Sequence, residues 1–341
     1  MSKKQDNERR DFFKVISYIL MFFFFILGFS LGILYKVFFP TIDDVSYKQI
    51  RSGGYEFINP LIDFETTDST KIVELVKLEN DLRKYVEGEV SSYTETNVSN
   101  ISIYYKDLNS GAWIGINEDE YFSLSSLLKL PIMIAAYKTD EIEDGYLDKT
   151  IVLRKDETLA KPNILPEKTL VEGETYTLDA LINQLIIYSD NEVLAAIKEL
   201  TNYESLVKVY QDLGLRNPYE AENENTLTVK DYASFFRILY NATYLNKDMS
   251  EKALKLLSQV QYDEGIASGI PFNIKVANKF GEREYTLEPI HGRKQLHDCG
   301  IIYHPKKPYI LCVMTKGSNF ESLQRTIKEI STNIYQKVNT E

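Results

Sequence analysis

Apolar positions follow three different rhythms along the chain. Val15 to Tyr35 (VISYILMFFFFILGFSLGILY) is apolar on every side and carries no charge, enough as a helix to cross a hydrocarbon core. Residues 71–91 place Ile72, Leu75, Leu78, Leu82 and Val86 on one stripe, the spacing of an amphipathic helix. Residues 101–107 (ISIYYKD) and 112–116 (AWIGI) read as strands split by the turn Asn109-Ser110-Gly111. Residues 125–258 then turn helical, with apolar periods in 178–188, 191–200, 203–212 and 228–240. Strands return at 273–279 (NIKVANK), 299–304 (CGIIYH) and 309–315 (YILCVMT), and a helix over 319–337 closes the chain. Two strands and a helix therefore come first, a helical block is inserted, and three strands and a helix finish. That order predicts an α+β fold: a five-stranded antiparallel sheet flanked by helices, with an all-helical subdomain inserted. A site would lie where the sheet meets the insertion.

The first apolar segment sets the expected compartment. Lys3, Lys4, Arg9, Arg10 and Lys14 precede it, and Lys36 follows. The positive-inside bias makes residues 1–14 a cytoplasmic basic tail and residues 15–38 a single transmembrane anchor, with the rest outside the cell membrane. A cleaved signal peptide is the rival reading, but its apolar region is usually shorter and ends in an A-x-A-like site. Residues 39–70 are irregular and polar, and read as an extracytoplasmic linker. Residues 71–341 are then the catalytic domain, with the helical subdomain at about 125–258.

Composition removes several function classes. A hydrophobic fraction of 44% and an aromatic fraction of 12% allow a sizeable core. A net charge of −11 repels phosphate backbones, so nucleic acid is not an expected partner. His291, His297 and His304 have neither HxH nor HExxH spacing, and two cysteines cannot build a Cys-rich site. No metal and no cofactor is expected. Cys299 and Cys312 flank the turn His304–Pro308 almost symmetrically. If Tyr303 faces Pro308, the cysteines face each other too. A disulfide is permitted outside the cell. Cross-strand bridges are often strained, so both the bridged and the free state stay open.

Three short motifs carry candidate chemistry. Ser126-Leu127-Leu128-Lys129 opens an apolar helix after a serine-rich turn. A helix N-terminus aims free N–H groups at the serine, and position i+3 brings Lys129 to the same face. A buried lysine there would have a lowered pKa and could take the serine proton. The same four residues also suit a serine cap with a snorkelling lysine. Ser189-Asp190-Asn191 follows the run LINQLIIY and suits either a helix stop with a new cap or a proton relay beside an amide-binding asparagine. Lys279-Phe280-Gly281 ends the strand NIKVANK. There glycine would permit a close backbone approach and lysine would hold a carboxylate, or the strand simply ends.

In this order and with these flanks (FSLSSLLKLPIMIAAYK, LIIYSDNEVLAAI, HDCGIIYHPKKPYILCVMTKG), residues 71–337 resemble the penicillin-recognising serine enzymes, most closely the class A β-lactamase family. The resemblance implies Ser126 as nucleophile, Lys129 as its base and Ser189 as proton shuttle. It implies Asn191 as a contact for the acyl side chain and Lys279 as the guide for the substrate carboxylate. The oxyanion hole would be the N–H groups of Ser126 and of Glu282, the residue after Gly281, donors typically worth about 3–4 kcal/mol each. The implied partner is a β-lactam or an acyl-D-Ala-D-Ala-type cell-wall peptide.

Three departures from the family pattern modify that expectation. Phe280 stands where the family has threonine, which removes a hydrogen bond to the carboxylate worth about 1.5–3 kcal/mol. Cys299 stands where an arginine often assists. The loop LGLRNPYEAENENTLTVKDY is short and lacks the Glu-x-x-x-Asn pair that activates the deacylating water. It holds Glu220, Glu222 and Glu224 without an asparagine four residues on. Slow release of β-lactam acyl groups is the expectation, as in a D,D-peptidase. A β-lactamase with a rebuilt loop and a non-turnover sensor are the alternatives. The G-x-S-x-G at Gly28–Gly32 falls inside the expected membrane span and the histidines cluster, which argues against a Ser-His-Asp hydrolase.

Overall fold

A computed structural model describes residues 16–18, 20–29, 46–67, 72–155, 162–164, 166–220 and 225–340. The chain forms two units, Met1–Val45 and Ser46–Glu341. In the first, residues 16–18 and 20–29 are helical (α1), and the side chains of Phe22 to Phe25 are exposed. Among the described residues no helix is long and apolar enough to cross a membrane. Residues 15, 19 and 30–38 of the expected span lie outside the described residues.

The second unit begins earlier than residue 71. Residues expected to form an irregular linker instead pair as an antiparallel hairpin, β1 (Ser46–Arg51) with β2 (Leu61–Thr67). The loop between them docks through two buried apolar residues, Phe57 and Ile58. The Glu251 carboxylate accepts from the backbone N–H groups of Glu56, Phe57 and Ile58 at 3.0–3.1 Å. The Tyr303 hydroxyl donates to the Phe57 carbonyl. One apolar pair has no period to read, and its partners lie some 190 to 250 residues away, so local pattern could not reveal this docking.

The elements that follow are α2 (Ile72–Ser91), α3 (Tyr93–Thr96), β3 (Val98–Asp107), β4 (Trp113–Ile116), β5 (Tyr121–Ser123), α4 (Lys129–Asp140), β6 (Thr150–Val152), β7 (Thr175–Thr177), α5 (Leu178–Ile187), α6 (Leu194–Leu200), α7 (Tyr203–Asp212), β8 (Thr226–Thr228), α8 (Val229–Asn241), α9 (Lys247–Leu257), β9 (Val276–Glu284), β10 (Lys294–Ile302), β11 (Tyr309–Gly317) and α10 (Phe320–Thr340). Helix starts follow side-chain chemistry. Thr177, Thr228 and Asn246 each accept a backbone N–H of the first turn of α5, α8 and α9.

Strands from the two ends of the domain share one antiparallel sheet, ordered β4-β3-β11-β10-β9. This is the expected architecture. Alternation along each strand buries both faces. Leu311 and Val313 of β11 face α2 and α10, packing with Leu82, Ile327 and Ile330. Cys312 and Met314 face the helical block with Met133, Leu185 and Phe236. The long hairpin of β9 and β10 differs from the expected boundaries. Pairing runs out to Glu284 opposite Lys294, so the polar runs 282–284 and 294–298 are strand, held by the ladder and not by apolar alternation. Lys279 therefore stands inside a strand, and β9 is one of the two edge strands of the sheet. Cys299 and Cys312 are direct cross-strand partners and form a disulfide on the face that also carries Lys279.

Candidate active site

Ser126 lies in a single 3₁₀ turn, Ser125–Leu128, that runs into α4 at Lys129. The turn is tighter than the α-helical start expected. Ser125 holds φ +48°, a left-handed conformation that non-glycine residues avoid. Several contacts hold the turn in that form. The Leu127 carbonyl accepts from the Tyr232 hydroxyl at 3.0 Å, and Ser123 Oγ accepts from Arg283 at 2.7 Å. The Ser123 carbonyl meets His297 Nε2 at 3.0 Å, while His297 Nδ1 accepts the Thr315 N–H at 3.2 Å. That pair of partners assigns the proton to Nε2. Burial pushes the His297 pKa down to about 3, so the ring is a neutral strut, not a ligand or a base.

Lys129 is buried, and its ammonium donates to the Ser189 carbonyl at 2.5 Å and to Ser189 Oγ at 3.1 Å. Lys279, fully buried, donates to the same Oγ at 3.0 Å and to the Phe280 carbonyl at 3.1 Å. One hydroxyl is thus shared by two lysines. Burial lowers the Lys129 pKa to about 7, against the opposing pull of Asp190 and Glu282. Burial, then the charge of Lys129, lowers Lys279 well below the usual lysine value. Two ammonium groups so close and so dry disfavour each other's charge.

Ser189 itself sits at φ +53°. A residue in that region costs on the order of 1–3 kcal/mol and persists only where the surroundings over-determine it. Asp190 supplies much of that determination. It is buried, takes the Gln184 amide at 2.9 Å, and accepts the Glu192 N–H at 2.9 Å. Asp190 is a positioning residue for the turn that sequence reasoning passed over.

The third motif behaves differently at each position. A Cβ on Gly281 would stand 2.8 Å from the Leu124 carbonyl oxygen and 3.1 Å from the Leu127 nitrogen, so glycine is what lets β9 lie against the turn of Ser126. Phe280 points away from the helical face. It is buried against Tyr262, with ring centroids 4.0 Å apart, and Lys279 Nζ stands 4.3 Å from its centroid. Phe280 therefore does more than remove a hydroxyl: it is a core residue. The Glu282 carboxylate accepts from Asn163 Nδ2 at 2.8 Å and from the Ile164 N–H at 2.9 Å, which ties β9 to the segment opposite.

Ser126, Lys129, Asn191 and Glu282 line one cavity of about 950 Å³, with Ser189, Lys279 and Gly281 packed behind it. All seven residues singled out in the sequence thus converge. Glu220 of the short acidic loop is not among the lining residues, and Glu222 and Glu224 lie outside the described residues. Among the described residues no cluster of acidic, histidine or cysteine side chains could hold a metal ion.

Fold and site together define a β-lactamase-like serine hydrolase. Residues 77–338 match the model of the β-lactamase enzyme family, and the chain belongs to that family. No curated protein matches the sequence. Among solved structures, PBP-A shares 19% identity over 78% of this chain and 97% of its own, with a TM-score of 0.62. A PBP-A mutant is known as an acyl-enzyme complex with penicillin G. A β-lactamase from Sphaerobacter thermophilus shares 23% identity over 75% of this chain and 97% of its own, with a TM-score of 0.62. A class A β-lactamase from Mycobacterium abscessus shares 19% over 74% and 99%, with a TM-score of 0.61. At such identities these likenesses speak for the fold.

Proposed function

We propose that this chain is a membrane-anchored, extracytoplasmic serine hydrolase that forms an acyl-serine intermediate at Ser126. Its substrates are β-lactams or acyl-D-Ala-D-Ala-type cell-wall peptides, and β-lactam acyl groups leave slowly. The observation that carries this reading is the Ser189 hydroxyl held between Lys129 and Lys279, with Lys129 and Ser126 in the wall of one cavity. A lysine neutral near pH 7 can take the Ser126 proton as Oγ attacks the carbonyl carbon. The oxyanion would face the N–H groups of Ser126 and Glu282. Ser189 would pass the proton to the leaving nitrogen, and Lys279 would hold the carboxylate and keep the relay polarised. Asn191 would meet the acyl side chain. The anchor is the uncharged segment Val15–Tyr35, with the N-terminus cytoplasmic.

Incubation of the full-length protein with a labelled penicillin, followed by intact mass over time, tests this. A persistent adduct that is absent in Ser126→Ala is the expected result. An equal adduct in the variant would remove Ser126 from its role.

One observation favours a β-lactamase with a rebuilt deacylation site. Glu282 and Asn163 are hydrogen-bonded at the wall of the cavity that holds Ser126, a carboxylate–amide pair of the kind that can hold a water. If that pair activates water, the adduct decays quickly in the native protein and persists in Glu282→Gln.

A further inference from the structure

The cavity that starts at Ser126 continues far past the reacting groups. It follows one face of α4, where Lys129, Ile132, Ala136 and Thr139 line it at intervals of three or four residues. Between Lys129 and Thr139 the helix rises about 15 Å. The opposite wall is Leu194 and Ile197 of α6 and Leu206 of α7. Polar groups return at the far end with Thr139, Thr201 and Asn202. Asn191 stands at the joint between the reacting groups and this channel, because its turn leads directly into α6. With Asn191 meeting the acyl side chain as proposed above, the channel opens on the acyl side of the serine.

The lining selects the occupant. A peptide drawn along this channel would set N–H and C=O groups against Ile132, Ala136, Leu194, Ile197 and Leu206, side chains that cannot pair them, although Lys198, Tyr203 and Ser205 also line the cavity. A hydrocarbon chain has no such groups and gains from each methylene removed from water.

We infer that Ser126 accepts acyl groups that carry an apolar tail, and that the channel between α4, α6 and α7 holds the tail. The substrate class is carboxylic esters of medium-chain and longer fatty acids. This rests on Ser126 being the acylated nucleophile. In the first half-reaction the Ser126 Oγ–acyl carbon bond forms and the bond from that carbon to the alkoxide oxygen breaks. The Ser126 proton leaves on the departing alcohol. Water then cleaves the acyl-serine, yielding the free acid and restoring the hydroxyl.

The test uses the full-length protein in lipid nanodiscs with p-nitrophenyl acetate, butyrate, octanoate and laurate. Nitrophenol release gives kcat/KM, and intact mass locates the acyl group. kcat/KM should rise by about fourfold per methylene until the channel is filled, with each acyl group found on Ser126. Ala136→Phe, which fills the middle of the channel, should flatten that slope. The slope in the native protein decides the matter even if the variant fails to fold. Rates that are flat or falling with chain length, with acetyl and penicilloyl adducts still forming on Ser126, would overturn the channel and leave the nucleophile standing. A slope that survives in Ser126→Ala would overturn it as well, since partition into lipid would then explain the trend. No adduct on Ser126 from any ester or from penicillin would overturn the underlying assignment.

Discussion

Lys129 Nζ lies 3.1 Å from Ser189 Oγ, joining two motifs that are sixty residues apart. Burial governs the protonation of Lys129, the proton acceptor proposed above. The Lys129 pKa is lowered to about 7. Below that value the amine is protonated and cannot accept from Ser126; above it the amine is free. The acylation rate with a labelled penicillin should therefore rise with pH through about 7 and level off. Lys129→Arg keeps a cation but stays protonated, so it should lose on the order of 10²–10⁴ in that rate and lose the inflection. Mass-resolved adduct formation from pH 5 to 9 reads both effects.

Gly281→Ala should damage the site without touching a reacting group. Its methyl would meet the backbone of Leu124 at 2.8 Å, and backbone cannot step aside as a side-chain tip can. Overpacking of this kind costs about 1–3 kcal/mol. Either β9 or the Ser126 turn must shift. Acylation should fall more than urea-melt stability accounts for, and a variant acylated at the native rate would contradict the close approach.

Phe280→Thr would rebuild the family's third motif, yet it should be a poor bargain. The ring is buried and stacked on Tyr262. Loss of a buried aromatic typically costs about 3–5 kcal/mol, somewhat less when a smaller side chain remains. The expected result is a lowered melting midpoint, with no gain in penicillin acylation that outweighs it. A variant as stable as the native chain would mean the stack contributes nothing.

His297 makes a pH-dependent contribution that can be isolated. Its pKa is lowered from 6.5 to about 3 in the fold, so the unfolded chain binds a proton there that the folded chain refuses. The stability tied to His297 is present above pH 6.5 and is lost as pH falls toward 3, by about 2 kcal/mol between pH 6.5 and 5. Asp298 works in the opposite direction. Burial raises its pKa to about 7, so its ionisation costs stability as pH rises from 3.8 to 7. The comparison of native protein with His297→Phe removes the Asp298 contribution. The stability advantage of the native protein over the variant should shrink by that amount between the two pH values in urea titrations. A constant difference would show that His297 does not titrate as described.

Some of this architecture was readable in advance because its code is local. Apolar stripes of period near 3.6 marked α2, α5, α7, α8 and α10, since a helix buries one face whatever it packs against. The Cys299–Cys312 pairing was within reach, because a hairpin's register follows from its turn. Ser126, Lys129, Ser189, Asn191, Lys279, Gly281 and Glu282 were nameable from three motifs and their order, which no folding step can alter.

What tertiary structure decided has its cause in contacts between distant residues. Phe280 looked like a missing hydroxyl, and only the position of Tyr262 makes it a core residue. Residues 46–67 looked like a tether, and only Glu251 and Tyr303 turn them into a docked hairpin. The apolar channel belongs to α4, α6 and α7 together, and no one of them encodes it. The lowered pKa of Lys129 is the sharpest case. Its residue type is written at position 129, but the dry surroundings that free its amine near neutral pH exist only once the sheet and the helical block have closed around it.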